Sequence, residues 1–248
     1  MTPALELVNV TKRFGEKVAV NDLSLRIEPG SFVGLLGRNG AGKSTTLKMA
    51  TSLIEPTSGT INVLGFDLRT QSLEARRHIG VMPEDMALLE LLTGPQYLRF
   101  VGRMYGLEDA AIDQRALELF DTLDLKPGPR TLVADYSFGM KKKLALCAAL
   151  LHGPRLLFLD EPFEGIDAVT NRTIKDILLR LQQRGVTLVL TSHILEVVEK
   201  LCPQIAIIDE GKLKGFGTLA ELSAGATSLE ALFVSLVGGA PRGTLSWL

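Results

Sequence analysis

Cysteine is nearly missing from this chain of 248 residues: Cys147 and Cys202 are the only two, with no framework or metal-like spacing. Both sit in apolar surroundings and read as buried small hydrophobes of a reducing compartment. An excess of positive charge is missing too. Lys and Arg total 27 against 28 Asp and Glu, a formal net charge of −1, whereas a nucleic-acid binder usually carries a basic face or a pI above about 9. No nucleic-acid partner is therefore expected. Long apolar runs are also lacking, since the run Leu144 to Leu151 falls far short of the roughly 18–20 residues that span a bilayer. Residues 1–10 lack the basic start and apolar stretch of a secretory signal. The expectation is a chain soluble by its own sequence, reaching any membrane through a partner.

What is present is a large apolar fraction, 46 %, enough for a real core and too much for a disordered chain. Ala4 to Val10 and Leu23 to Ile27 alternate as strands, and Glu28-Pro29-Gly30 turns the chain. Ser31 to Leu36 is nearly continuous and apolar, as in a strand covered on both faces. Thr60 to Val63 and Gly80 to Met82 add short strands. From Thr93, a cap followed by Pro95, the texture becomes helical through Tyr97 to Tyr105, Ala110 to Leu123 and Gly139 to Leu151, with a break at Lys126-Pro127-Gly128-Pro129. Strands at Leu156 to Leu159, Val186 to Leu190 and Ile205 to Ile208 then alternate with helices at Ala168 to Gln183 and Ile194 to Leu201. That alternation implies parallel strands joined by crossovers. Asp209 to Lys212 reads as a hairpin turn, and Thr218 with Glu221 and Thr227 with Glu230 read as capping boxes.

Between the strand ending at Leu36 and a helix opening at Lys43 stands Gly37-Arg38-Asn39-Gly40-Ala41-Gly42-Lys43-Ser44, the pattern G-x-x-x-x-G-K-[ST]. Its glycines let the backbone curl so that successive N–H groups face an anion. Lys43 brings a full charge to β- and γ-phosphates, the Ser44 hydroxyl suits Mg²⁺, and the helix adds about half a positive charge at its N-terminus. At about 4 Å and an effective dielectric near 20 a charge pair is worth roughly 4 kcal/mol before desolvation, so Lys43 outweighs the dipole and the amides set geometry. A second element, Leu156-Leu157-Phe158-Leu159-Asp160-Glu161, is an apolar strand ending in two carboxylates. Alternation along a strand would aim Asp160 at Mg²⁺ and Glu161 at an attacking water. Together the two elements predict ATP and Mg²⁺ as ligands and ATP hydrolysis as the reaction.

With those motifs the sequence resembles the ATPase subunit of an ABC transporter over nearly its whole length. The resemblance makes Phe14 the residue that stacks on adenine, residues 37–45 with Thr45 the Walker A loop, and Asp160-Glu161 the Walker B strand with its catalytic glutamate. Gly165-Ile166-Asp167 is similar to the D-loop and His193 to the switch histidine. The signature, usually L-S-G-G-Q, appears as Tyr136-Ser137-Phe138-Gly139-Met140, with Ser137 and Gly139 as the phosphate-contacting residues. Three departures stand out: Phe138 for a glycine, Met140 for a glutamine, and Glu84 where the family has its Mg-contacting glutamine. The implied fold is α/β, a P-loop nucleotidase core with a mixed/parallel sheet, an N-terminal antiparallel β part and a helical subdomain. The implied division is 1–83 and 152–226 for the RecA-like core, 84–151 for the signature-bearing helical lobe, and 227–248 for a C-terminal helix and tail. Pro83-Glu84, Tyr-Ser-x-Gly-Met with its lysines, and Thr227 to Gly238 resemble the export-type branch. That implies a homodimer or a dimer of like subunits, a transmembrane permease on a separate chain, and a cytoplasmic protein held at the inner face of the membrane by that permease.

Other readings compete at single positions. His193 follows a strand at the carboxyl edge where ligands bind, which favours a γ-phosphate sensor over a cap or a metal pair with Glu196. Phe14 can be a packing residue instead of an adenine platform. Gly215-Phe216-Gly217-Thr218-Leu219-Ala220 imitates a dinucleotide fingerprint but follows a hairpin strand and reads as a turn before a capped helix. Lys141-Lys142-Lys143 reads as a solvated helix face rather than a nucleic-acid patch. The apolar passage Met86, Leu88, Leu89, Leu91, Leu92, Tyr97, Phe100 and Met104 serves as core, as a groove for a partner helix, or as both. At the level of the whole chain, a soluble ABC-type ATPase of translation or DNA repair and a non-hydrolysing ATP-binding module are the rivals. The first usually carries two cassettes or coiled-coil insertions, and the second is disfavoured by intact Lys43, Asp160, Glu161 and His193.

Overall fold

A computed structural model describes residues 2–128, 130–222 and 228–238 of the chain. Among the described residues ten strands fall into two sheets. β1 (Leu5–Phe14), β2 (Lys17–Ile27), β4 (Ser58–Val63) and β5 (Phe66–Asp67) form an antiparallel sheet in the order β2-β1-β4-β5. β3 (Phe32–Leu36), β6 (Ile79–Met82), β7 (Leu156–Asp160), β8 (Thr187–Ser192), β9 (Gln204–Asp209) and β10 (Lys212–Gly217) form the second, in the order β10-β9-β3-β8-β7-β6. All neighbours in it are parallel except the β9–β10 hairpin. The helices are α1 (Lys43–Ala50), α2 (Ser72–Arg76), α3 (Gly94–Met104), α4 (Asp109–Thr122), α5 (Phe138–Leu150), α6 (Ala168–Gln183), α7 (Leu195–Leu201), α8 (Leu219–Leu222) and α9 (Leu229–Val237). The α/β mixed-sheet class with an antiparallel N-terminal part is borne out.

Every residue of β3, β7 and β8 is buried, because both faces of the central sheet are covered. Strand alternation splits them between two cores. Phe32, Leu36, Leu157, Leu159, Leu188 and Leu190 join a cluster with α3–α7 and α9. Val33, Leu35, Leu156, Phe158 and Val189 join another with α1 and the antiparallel sheet. This two-sided burial is what makes the strands read as unbroken apolar runs. Their parallel direction also brings the ends of β3, β6, β7 and β8 to one edge, where all the loops that matter emerge.

Turn chemistry follows the sequence closely. In the β9–β10 hairpin Glu210 and Gly211 both take positive φ (49° and 74°), the geometry of a tight two-residue loop. Thr93 caps α3 with a reciprocal bond from Gln96, and Thr218 with Glu221 makes the same box before α8. Some expectations change. The first hairpin is longer than its alternation suggests: β1 runs to Phe14 and β2 begins at Lys17. Asn9 and Asp22 sit at φ 49° and 52°, and the register shifts beside Asn9 and Asp22 break the period of two. Gly215, Phe216 and Gly217 are the end of β10 and pair with β9, so they are strand and not turn. Thr227 lies outside the described residues, as do Pro129 and the tail from 239 to 248. Ser228 caps α9, its Oγ accepting from the Ala231 N–H at 3.2 Å.

Candidate functional site

Residues 37–42 leave β3 and turn directly into α1. Two glycines are demanded by the space. A Cβ on Gly37 would lie 2.3 Å from the Ile208 carbonyl oxygen, and one on Gly42 would lie 2.6 Å from that of Ala19. Gly42 also stands at φ +108°, a backbone that L side chains rarely adopt. The Gly211 N–H donates to the Ala41 carbonyl at 2.9 Å, fixing the loop to the β9–β10 turn. Lys43 is only 6 % exposed, and its Nζ donates to the carbonyls of Gly37 (2.8 Å) and Arg38 (3.3 Å). Burial pushes the Lys43 ammonium below its usual value, while the carboxylates of Glu161, Asp160 and Glu84 push it back up.

Opposite the loop, β7 delivers Asp160. Its Oδ1 accepts from Ser44 Oγ at 3.2 Å and from Thr191 Oγ1 at 2.5 Å. Glu161 is aimed by a different device from the one its sequence suggested. It lies beyond the strand with φ +48°, so a left-handed turn, and not strand alternation, separates the two carboxylates. Thr191, the register partner of Asp160 on β8, also accepts the Glu161 N–H at 3.0 Å. The side chain of Glu161 reaches His193, whose Nδ1 is 3.1 Å from Glu161 Oε2.

An open cavity of about 320 Å³ lies between these groups. Asn39, Gly40, Gly42, Lys43, Ser44 and Thr45 form one wall; Glu84, Glu161, Glu164 and His193 form the other, and Lys17 and Ala19 close one end. Glu84 is held above its usual range by burial and by the neighbouring carboxylates of Asp160, Glu164, Glu161 and Asp85. Lys43 and the N-terminus of α1 thus face a concentration of negative charge that a cation would relieve. Ser44 Oγ beside Asp160, with Glu84 on the cavity wall, supplies the hard oxygen donors that suit Mg²⁺. Such sites are usually completed by substrate phosphates and waters, and among the described residues no three His, Cys, Asp or Glu side chains form a metal cage.

Not every expected site residue lies at this cavity. Ser137, Phe138 and Gly139 stand at the start of α5, with Ser137 Oγ accepting the Met140 N–H at 3.2 Å, and none of them lines it. Asp167 caps α6, accepting from the Val169 and Thr170 N–H groups at 2.9 Å each and from Thr170 Oγ1 at 2.6 Å. Those bonds hold its carboxyl below the usual range, the Thr170 hydroxyl first. The Arg38 guanidinium turns out of the loop and donates to the Gly238 carbonyl behind α9. Phe14 is 50 % exposed on the hairpin that carries Lys17, with Lys12 Nζ 5.1 Å from its ring centroid. The lysine triplet is not one solvated face: Lys142 is buried, whereas Lys141 pairs with Glu90 at 2.6 Å and Lys143 reaches the Asp124 carbonyl. Thr191 and Glu164 were missed. Thr191 carries a detectable signal, a hydroxyl two residues before His193 at the end of an apolar strand.

A family model described as "ABC transporter" matches residues 20–164, and the chain belongs to that family. It is the family's ATP-binding, ATP-hydrolysing subunit. The linearmycin resistance ATP-binding protein LnrL of Bacillus subtilis is 38 % identical over 218 residues, 88 % of this chain and 70 % of LnrL; of another relative the chain spans only 41 %. A structure of the ATP-binding subunit of an ABC transporter superposes with TM-score 0.88 at 31 % identity, covering 95 % of this chain and 99 % of the other. The dimeric post-hydrolysis cassette MJ0796, bound to ADP and Pi, gives 0.80 at 26 % identity over 87 % of this chain and 98 % of its own. No helix among the described residues is long and apolar enough to cross a membrane.

Proposed function

We propose that two copies of this chain, or this chain and a like subunit, close on two ATP molecules to drive a membrane permease in the direction of export. One observation carries the reading: Lys43, Ser44, Glu84, Glu161 and His193 line one cavity, with Asp160 bonded to Ser44 beneath it, while Ser137 and Gly139, which the family pattern assigns to phosphate, do not line it. A site using both sets needs a second cassette, and the MJ0796 cassette is itself dimeric. LnrL is named for resistance to linearmycin, and moving a drug out of the cell is one way to resist it. We divide the chain into 1–83 and 152–226 as the nucleotide core, 84–151 as the helical lobe that presents the signature, and 227–248 as a C-terminal appendage; the run of helices α3–α5 between β6 and β7 supports the middle boundary.

Within each site, Lys43 exchanges the Gly37 and Arg38 carbonyls for β- and γ-phosphate oxygens, and the N–H groups of residues 39–45 fix the triphosphate. Ser44, Asp160 and Glu84 would hold Mg²⁺, which would supply positive charge to offset that of the phosphate oxygens. Glu161 orients the attacking water and takes its proton. His193, whose Nδ1 lies 3.1 Å from Glu161 Oε2, is the γ-phosphate sensor beside that carboxylate. Catalysis is then positioning plus charge stabilisation. Phe14 stacks on the base, and Asp167, through the cap it makes on α6, sets the loop that meets the second cassette.

The permease contact is assigned to the groove of about 190 Å³ lined by Val81, Pro83, Met86, Leu88, Tyr97, Val101 and Tyr105, with alanines of α5 as its floor. Leu91, Phe100 and Met104 of the same passage are exposed, which supports reading it as core and groove together and the chain as a peripheral protein of the cytoplasmic membrane face. Sedimentation of a hydrolysis-blocked Glu161→Gln chain tests the pairing. ATP is expected to shift it from monomer to dimer, and adding Ser137→Ala is expected to reverse that shift without loss of ATP binding. A Glu161→Gln chain that binds ATP and stays monomeric would contradict the reading.

A further inference from the structure

Lys142 lies in the second turn of α5 and is 2 % exposed. A buried ammonium must find acceptors, and Nζ finds two backbone carbonyls, Glu161 at 2.7 Å and Glu164 at 2.5 Å. The same Glu161 carbonyl accepts the Glu164 N–H at 3.4 Å, so Lys142 pins both ends of the turn that follows the acid pair. The amide of Glu161 is held on its other side by Thr191 Oγ1. The left-handed residue that aims the carboxylate is therefore fixed from two elements, β8 at its N–H and α5 at its C=O.

Phe138, which stands where the family pattern has glycine, covers this arrangement. Lys142 Nζ lies 5.2 Å from its ring centroid. The ring packs on Gly165 so closely that a Cβ there would meet Phe138 Cε1 at 2.6 Å, and Gly165 is at φ +69°. Burial lowers the affinity of the Lys142 amine for its proton, and the carboxylates of Glu164, Glu161 and Glu84 restore part of it. The helix whose first turn carries Ser137 and Gly139 is thus bonded, five residues after Ser137, to the backbone of Glu161.

We propose that Lys142 is a positioning residue for ATP hydrolysis: its buried ammonium ties the signature helix to the Glu161 and Glu164 carbonyls, and Phe138 shields that tie. Engagement of Ser137 and Gly139 by a second cassette is then transmitted inside one chain to the orientation of Glu161. The inference rests on Glu161 being the group that acts on water, as proposed above. It also gives the aromatic departure in the signature a role of its own, since a glycine there would remove the ring that the ammonium faces at 5.2 Å.

The test compares Lys142→Met, which removes the donors, with Lys142→Arg, which keeps them, in steady-state ATP hydrolysis and in equilibrium binding of a fluorescent ATP analogue. Lys142→Met is expected to lower kcat by about tenfold to a hundredfold, the scale of a small misplacement of a reacting group, while KM and nucleotide affinity move less than about threefold. Lys142→Arg is expected to recover most of the loss. If Lys142→Met does not fold, Lys142→Gln, which retains an N–H donor, is expected to give an intermediate kcat. Parental kcat in Lys142→Met or Lys142→Gln would overturn the proposal, as would a folded Lys142→Arg no better than Lys142→Met. The parent and Glu161→Gln run beside them separate the two claims. A parent without ATPase activity, or Glu161→Gln at the parental rate, defeats the assigned function. Normal behaviour of both, with an active Lys142→Met, defeats the positioning role alone.

Discussion

Thr191 offers a sharp test of how the acid pair is built. Its single hydroxyl accepts the Glu161 N–H and donates to Asp160 Oδ1, and the residue is fully buried. Thr191→Val keeps the branched shape and deletes both bonds. A buried N–H left without its partner costs about 1–3 kcal/mol, and a bond to a charged carboxylate is worth about 1.5–3 kcal/mol. The two share one hydroxyl and Asp160 retains Ser44 Oγ, so the combined loss falls below the sum, at about 2–4 kcal/mol. Thr191→Ser, which keeps the hydroxyl and sheds one methyl, is expected to cost about 1 kcal/mol. Urea unfolding at neutral pH measures both, and ATP hydrolysis by the same preparations is expected to fall in the valine variant and persist in the serine variant. A valine variant within about 0.5 kcal/mol of the parent and of parental kcat would refute this account of the site's geometry.

Two pH-dependent outcomes follow from the site's electrostatics. Burial holds Lys43 below 10.5, so in the window from its folded value up to 10.5 the unfolded chain binds more protons and stability rises with pH. Relative to Lys43→Met, the nucleotide-free parent is therefore expected to gain stability as pH climbs toward 10.5, and a flat difference in melting temperature would contradict this. Glu84 is displaced the other way, above 4.5. The folded chain holds the extra proton, and stability falls as pH rises from 4.5 through the folded value. Glu84→Gln is expected to raise the metal-free melting temperature more at pH 7.5 than at pH 5, whereas equal gains at both would remove the crowding of carboxylates as the cause.

The parts of the fold that depend on short-range rules were legible in the sequence. The continuous apolar run at 31–36 announced a strand covered on both faces, the run at 156–159 announced a strand, and the caps at Thr93 and Thr218 stand where their spacing put them. The phosphate loop and the acidic strand end could be located for the same reason. What escaped depends on chain geometry at a distance. Asn9 and Asp22 break the alternation of the first hairpin by taking positive φ, which single-residue patterns do not display. β5 and α2, at two and five residues, are too short to carry a period. The left-handed backbone of Glu161 arises from partners on β8 and α5, so strand alternation supplied the wrong reason for a carboxylate at the site. Lys142 was hidden by its charged neighbours, although Ala145 and Ala149, three and seven residues later, place it on the apolar face of α5.

The central claim is that residues 37–45 hold a triphosphate and Glu161 acts on the water that attacks it. Phosphate release by the purified chain with Mg²⁺ and ATP, compared with Glu161→Gln under the same conditions and with ATP binding measured on both, tests it most directly. Equal binding with release lowered by about 10²–10⁴-fold in Glu161→Gln is the predicted result. Release at the parental rate from Glu161→Gln, or a parent that binds no ATP, would contradict it.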